Sequence, residues 1–195
     1  MKSHIDTVPK VKPVLVTGAT GYVGGRLVRA LRDLDIEVRC MARKPAHLSA
    51  RVSRGAQVLR GDAVTGEGLE AALLGVGTAY YLIHSMGSAD GFEDKDRLAA
   101  ENFSAAALKA GVDRIVYLGG LADETQPLSP HLRSRLEVGQ VLRSSGVPVI
   151  ELRASIVIGS GSLSFEMIRA IVERLPVLIT PRWVSVLAQP IGIDD

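Results

Sequence analysis

A short β-branched run breaks into three glycines spaced three apart, and a helical pattern starts at once. No other feature constrains the fold of this chain so strongly. It reads Val14-Leu15-Val16-Thr17-Gly18-Ala19-Thr20-Gly21-Tyr22-Val23-Gly24-Gly25. Val11, Val14, Leu15 and Val16 have the continuous apolar character of a buried parallel strand. Val23, Leu27, Ala30, Leu31 and Leu34 then recur at helical spacing. A strand, a tight turn and a helix start, in that order, make a seat for a dinucleotide pyrophosphate. Gly18 lets the chain turn, Gly21 lets backbone approach phosphate without a Cβ between them, and Gly24 lets the helix pack close to the strand. The exposed N–H groups and the helix dipole, roughly half a charge, then face the anion. A purely structural turn is the plain alternative. A P-loop is excluded, because Arg26 follows Gly24-Gly25 where Lys-Ser/Thr would be needed.

Strand and helix patterns alternate along the whole chain. The expected strands are 12–17, 36–42, 56–61, 78–83, 114–119 and 148–154. The expected helices are 22–33, 45–52, 66–74, 92–110, 131–145 and 164–174. Gly111 and Gly146 stand where helix C-caps belong. This alternation predicts an α/β fold with a doubly wound parallel sheet. At 195 residues and 47% hydrophobic composition, one sizeable domain over 11–195 follows, behind a loose polar tail at 1–10. That tail lacks the apolar centre of a signal peptide. The most apolar region, Val147–Ile158, is broken by Glu151 and Arg153, so no membrane span is expected. The net charge of +2, with acids and bases interspersed, gives no nucleic-acid surface. Cys40, the single cysteine, lies in Val38-Arg39-Cys40-Met41-Ala42 and reads as a buried core thiol. With no disulfide available within the chain, a reducing cytoplasm is the expected location.

Thr17-Gly18-x-x-Gly21-x-x-Gly24 resembles the fingerprint of extended and atypical short-chain dehydrogenases/reductases. Three later segments resemble the NmrA-like branch, which includes NAD(P)H-binding and nucleoside-diphosphate-sugar epimerase-like proteins. They are Tyr81-Leu82-Ile83-His84-Ser85, Arg114-Ile115-Val116-Tyr117-Leu118-Gly119-Gly120 and Leu152-Arg153-Ala154-Ser155-Ile156-Val157-Ile158-Gly159. The resemblance runs from about Val11 to the C-terminus and implies a Rossmann fold. Gly18, Thr20, Gly21, Tyr22, Val23 and Gly24 would then cradle the pyrophosphate.

The second strand points to the choice of dinucleotide. An NAD site places an acid at its end, to bond the ribose 2′-hydroxyl. Here that position reads Met41-Ala42-Arg43-Lys44, two cations and no acid. Arg43 can chelate a 2′-phosphate and Lys44 can add a point charge, which favours NADP over NAD. The alternatives are a solvated loop before Pro45, or Arg43 stacking on adenine. The resemblance gives Asp62, beside Ala63, the adenine amino group; a loop cap is its other reading. It also puts Leu82, Ile83 and His84 along the cofactor ribose and pyrophosphate. His84 reads as a pocket wall or as a proton carrier.

The reaction centre departs from the family. Active members use Tyr-x-x-x-Lys on the helix after strand five, the phenol moving a proton and the lysine lowering its pKa. No such pair occurs in this sequence. The helix count puts His131 at the tyrosine position and Arg135 at the lysine position, and strand five ends in Leu118-Gly119-Gly120 without a serine. Either His131 moves the proton while Arg135 holds the ribose, or the site binds a dinucleotide without chemistry. Ser155 can bond the nicotinamide carboxamide. Gly159–Ser162 is expected to form a flexible hinge. Phe165, Met167 and Ile168 after it line the substrate side or belong to the core.

Val177–Thr180 and Val184–Ala188 read as short strands. In the family, a segment like Gln189-Pro190-Ile191 leads into a further helix and more of the substrate-side part, so that part is expected to be largely missing here. If the chain is an enzyme, the resemblance implies a small organic substrate of carbonyl or quinone type. The rivals are a dinucleotide sensor acting on a protein partner, and a nucleotide-sugar epimerase or dehydratase, disfavoured by the missing tyrosine. The Ala-rich stretch Ala99–Ala107 suits either a homodimer contact or the cover of the sheet.

Overall fold

The computed structural model describes residues 11–49, 55–84, 91–123, 125, 127–174 and 188–195. Six strands form one parallel sheet: β1 (Val14–Thr17), β2 (Val38–Ala42), β3 (Gln57–Arg60), β4 (Thr78–Tyr81), β5 (Arg114–Gly120) and β6 (Val149–Ala154). Their order is β3-β2-β1-β4-β5-β6, the doubly wound arrangement expected from the alternation. The chain reverses direction across the sheet between β1 and β4, which are neighbours in space. β1 is buried at all four positions because it is central and covered on both faces.

Helices α1 (Tyr22–Asp33) and α2 (Pro45–Ser49) cover one face. Their core joins Val14, Val16, Val28, Val38, Cys40 and Leu48. Helices α3 (Leu69–Leu73), α4 (Phe92–Ala110) and α5 (Pro130–Ser144) cover the other. Leu15, Tyr81, Phe103, Ile115, Tyr117 and Leu142 meet there. Tyr81 packs edge-on against Phe103, with ring centroids 4.9 Å apart. The Cys40 thiol is buried, as its surroundings in the sequence suggest, and burial pushes its pKa up to about 11. Ala99, Ala100 and Ala107 are all buried in the core. The Ala-rich face of α4 therefore covers the sheet within this chain, and it is no longer an argument for a homodimer.

Several boundaries differ from expectation for physical reasons. α3 is shorter than 66–74, since Gly66 and Gly68 have φ of +79° and +74°, outside the helical region. β4 stops at Tyr81 rather than at residue 83, because the next amide, Leu82 N–H, leaves the ladder and donates to the Thr17 hydroxyl. α2 is described to Ser49, and residues 50–52 of the expected helix lie outside the described residues, as do the tail at 1–10, Ser85 and the strand-like Val177–Thr180 and 184–187. Two strands had no forecast: β7 (Ile156–Ile158) and β8 (Pro190–Gly192) pair in parallel as a separate small sheet. α6 (Leu163–Arg174) follows β7.

Gly159–Ser162 is not a free hinge. Ser162 is buried, donates its hydroxyl to the Val157 carbonyl, and closes a turn through its N–H to Gly159 O. Beyond it, Met167 and Ile168 are 58% and 47% exposed, so they are not core residues in this chain.

Candidate functional site

The glycine turn lies at the C-terminal end of β1, where open α/β sheets bind their ligands. Gly18 has φ +68°, and a Cβ there would collide with the Leu82 carbonyl, so strain and space both require glycine. Its carbonyl accepts the Gly21 N–H at 2.9 Å. A Cβ on Gly24 would run into the Gly18 carbonyl, which confirms the close helix–strand approach assigned to the third glycine. Gly21 is exposed and extended (φ −78°, ψ 172°), so its outer side is open. No side chain caps α1, and its first turn holds no acid. The helix therefore starts on bare N–H groups at the positive end of its dipole, the chemistry that an anionic phosphate satisfies. Thr20, Gly21 and Tyr22 line a cavity of about 270 Å³ at this end, together with Arg26, Arg29, Ser160 and Gly161.

The floor of the crevice is stitched across the strand reversal. Thr17, fully buried, donates its hydroxyl to Tyr80 O at 2.9 Å and accepts Leu82 N–H at 3.1 Å. This fixes Leu82, and with it Ile83 and His84, against the glycine turn.

Arg43 and Lys44 follow β2 directly and are exposed. Neither carries an ion pair among the described residues, so both are available to an anion. Asp62 follows β3. One carboxylate oxygen, Oδ1, accepts Val64 N–H at 2.9 Å, which makes the turn-cap reading real. The other oxygen has no partner among the described residues. The two readings of Asp62 are thus compatible, one for each oxygen. Ala63 beside it is buried.

At the other end of the crevice, α5 starts with Ser129 as N-cap, accepting Leu132 N–H, and with Pro130 in the first turn. His131 stacks on Phe92 of α4, with ring centroids 4.6 Å apart. Arg135 donates from Nη1 to the Leu118 carbonyl at 3.0 Å, and its own carbonyl accepts the Tyr117 hydroxyl at 2.9 Å. Burial, the largest cause, pushes the Tyr117 phenol pKa up. The buried Asp96 accepts the Ser134 hydroxyl at 3.0 Å, joining α4 to α5 under this corner. His84 is exposed at its outer edge. Desolvation, then the Arg135 cation, pushes its pKa below the usual histidine value; Asp96 and a backbone bond at Leu82 oppose them, and His131 adds to the lowering. The structure therefore gathers His84, His131 and Arg135 into one electrostatic neighbourhood and favours a neutral His84. Ser155 is exposed between β6 and β7.

Sequence reasoning missed the contact of α1 with the C-terminal strands. The Arg26 guanidinium lies 5.0 Å from the Tyr22 ring centre, donates to Ser160 O at 2.9 Å and faces Asp194 at 3.8 Å. A Cβ on Gly159 would collide with the Tyr22 hydroxyl, so Gly159 admits the ring. The only hint was the repetition of Tyr22 and Arg26 at helical spacing.

Comparison with known proteins agrees with this geometry. The 3-beta-hydroxysteroid dehydrogenase of Mycolicibacterium neoaurum is 34% identical over 114 residues, 53% of this chain and 31% of that protein. Ceramide reductase of Caulobacter vibrioides is 28% identical over 171 residues, 85% of this chain and 52% of that protein. Among solved structures, MoeE5 in complex with UDP-glucose and NAD matches with TM-score 0.67 and 26% identity, covering 81% of this chain and 60% of that one. The Citrobacter sp. triphenylmethane reductase complexed with NADP(H) matches with TM-score 0.66 and 26% identity, covering 83% and 55%. The chain thus spans less than two thirds of the length of each of these relatives. The NmrA-like family model matches residues 10–164, from just before β1 to the start of α6. With a phosphate-shaped glycine turn at the head of that span, the chain belongs to the NmrA-like family, on a Rossmann-type α/β sheet.

Proposed function

We propose that this chain binds NADP(H) and serves an oxidoreductase acting on a small carbonyl or quinone-type substrate. The observation that carries the reading is the start of α1: uncapped N–H groups, no acid, and glycines whose Cβ positions are filled by backbone. Gly18, Thr20, Gly21, Tyr22, Val23 and Gly24 would hold the pyrophosphate. Arg43, with Lys44, would hold the 2′-phosphate, and the uncommitted oxygen of Asp62 the adenine amino group. Ser155 would reach the carboxamide, and Leu82, Ile83 and His84 the ribose side. Bound there, the nicotinamide supplies or accepts a hydride. Two relatives, ceramide reductase and triphenylmethane reductase, support the reductive class.

For the chain's own part, the neutral imidazole of His84 can accept a proton from a substrate hydroxyl, and His131 brings a second imidazole to the tyrosine position. Arg135 keeps a permanent cation beside them. The test is a fluorescence titration with NADPH and NADH, followed by loss of nicotinamide absorbance over a panel of carbonyls and quinones. Preference for NADPH together with turnover supports the proposal. Equal affinity for the two refutes the role of Arg43.

A second reading, a dinucleotide sensor without turnover, is favoured by one observation: the His131 ring is stacked on Phe92 and Arg135 Nη1 is bonded to Leu118 O, so contacts within the chain already engage both. Tight binding with no turnover on any member of the panel would decide for it. Turnover of a nucleotide sugar would decide for the epimerase reading instead.

A further inference from the structure

We infer that Asn102, in the middle of α4, is a positioning residue for the adenine half of the dinucleotide, an inference that rests on the NADP(H) reading above. Its Nδ2 donates to two successive carbonyls, Ala63 O at 3.0 Å and Val64 O at 2.9 Å. Two acceptors in a row leave the amide only one orientation, because its own oxygen would be repelled from both. These carbonyls belong to the turn that Asp62 begins. Asp62 Oδ1 holds Val64 N–H, and Asp62 N–H bonds Glu67 O at 2.9 Å. Val64 is therefore gripped from both sides, its N–H by Asp62 and its carbonyl by Asn102. The turn is also tight: a Cβ on Gly61 would lie 2.6 Å from Met41 Sδ and 2.9 Å from Glu67 O.

The consequence is directional. Asp62 faces the adenine with one oxygen only while its other oxygen is fixed on Val64. Asn102 fixes Val64 from a helix anchored in the core, since its neighbour Phe103 is fully buried. Without Asn102, two partly buried carbonyls lose their donors, and the turn relaxes toward water. The Asp62 carboxylate then loses its aim, while the glycine turn across β1 is untouched. α4 also carries Phe92, against which His131 stacks, so one helix supports both ends of the crevice.

The effect separates the two halves of the cofactor. In Asn102→Ala, the Kd for 2′,5′-ADP, which carries the adenine half, rises about tenfold, the size of one lost hydrogen-bonded pair. The Kd for reduced nicotinamide mononucleotide is unchanged. Asn102→Ser, which keeps a short donor and packs more gently, gives a smaller rise in the same ligand alone. Asp62→Ala combined with Asn102→Ala weakens 2′,5′-ADP no more than Asp62→Ala does, because both act through one carboxylate. Equal weakening of both half-ligands, full additivity of the pair, or no change in 2′,5′-ADP binding in either Asn102 variant overturns the assignment. If the unsubstituted protein itself fails to bind 2′,5′-ADP, the underlying NADP(H) reading falls, an outcome distinct from failure of the Asn102 role.

Discussion

α1 and α5 both begin at the C-terminal edge of the parallel sheet, one after β1 and the other after β5, yet their first turns are built on opposite terms. α1 starts on Gly21 with no capping side chain and no acid. α5 starts on a serine cap and a proline, with His131 stacked on a phenylalanine and Arg135 bonded to Leu118 O. The first leaves its donors to something outside the chain. The second satisfies them internally. The start of α1 is prepared for an anion, whereas the start of α5, where the family resemblance would place tyrosine and lysine, carries His131 and Arg135 already engaged with Phe92 and Leu118 O. The contrast separates an end left open to an outside group from one closed by the chain's own contacts.

The largest effect that would break the comparison is at the open end. Gly18→Ala forces a side chain into a left-handed backbone position and onto the Leu82 carbonyl, at an expected cost of about 3 kcal/mol. A urea titration and an NADPH titration should both show the loss; a variant with normal stability and normal affinity would end the claim that this turn is built around glycine. Next, Arg43→Ala is expected to weaken NADPH about 10- to 100-fold and leave NADH unchanged, as befits one lost charged bidentate contact. Calorimetry with both ligands checks it, and parallel weakening would place Arg43 on the adenine rather than on the phosphate.

At the closed end, His131→Ala removes the ring stacked on Phe92 and is expected to cost about 1 kcal/mol of stability, with NADPH affinity intact. A drop in affinity instead would move His131 into the cofactor seat and weaken the contrast between the two helices. The smallest effect is in pH dependence. The folded-state pKa of His84 lies below its unfolded value of about 6.5, so the unfolded chain takes up the proton first. This group therefore lowers stability as pH falls through about 6.5, stops doing so below its folded pKa, and has no influence above neutrality. His84→Gln should flatten the slope of the urea midpoint between about pH 7.5 and about pH 5. An unaltered slope would show that Arg135 and burial do not act on this ring.

The sheet and its order were legible because each strand and helix carries its own period, and because the first turn declares a parallel doubly wound topology. The places that resisted reading share a cause: their structure depends on partners distant in sequence. The apolar run at Leu82-Ile83 continues the β4 pattern, but the Thr17 hydroxyl takes the next amide and ends the strand. β7 and β8 are three residues each and exist only through each other, so neither has a local signal. The helix count brought His131 and Arg135 to the right helix, but it could not reveal that Phe92 and Leu118 O hold them. Asn102 was hidden for a different reason. Nothing local in Ala99-Ala100-Glu101-Asn102-Phe103-Ser104 singles it out, and only the folded loop after β3 gives it two carbonyls to meet.

The two bonds of the Thr17 hydroxyl span the gap between strands that the chain visits 63 and 65 residues apart. A crevice whose walls are pinned this way does not have to be drawn together by its guest. Its width is set during folding, and the ordering entropy that binding would otherwise require is already met by the native sheet. Thr17→Val keeps the shape of the side chain and removes the pin. In such a variant, affinity would fall through a looser empty site rather than through any lost contact with the ligand.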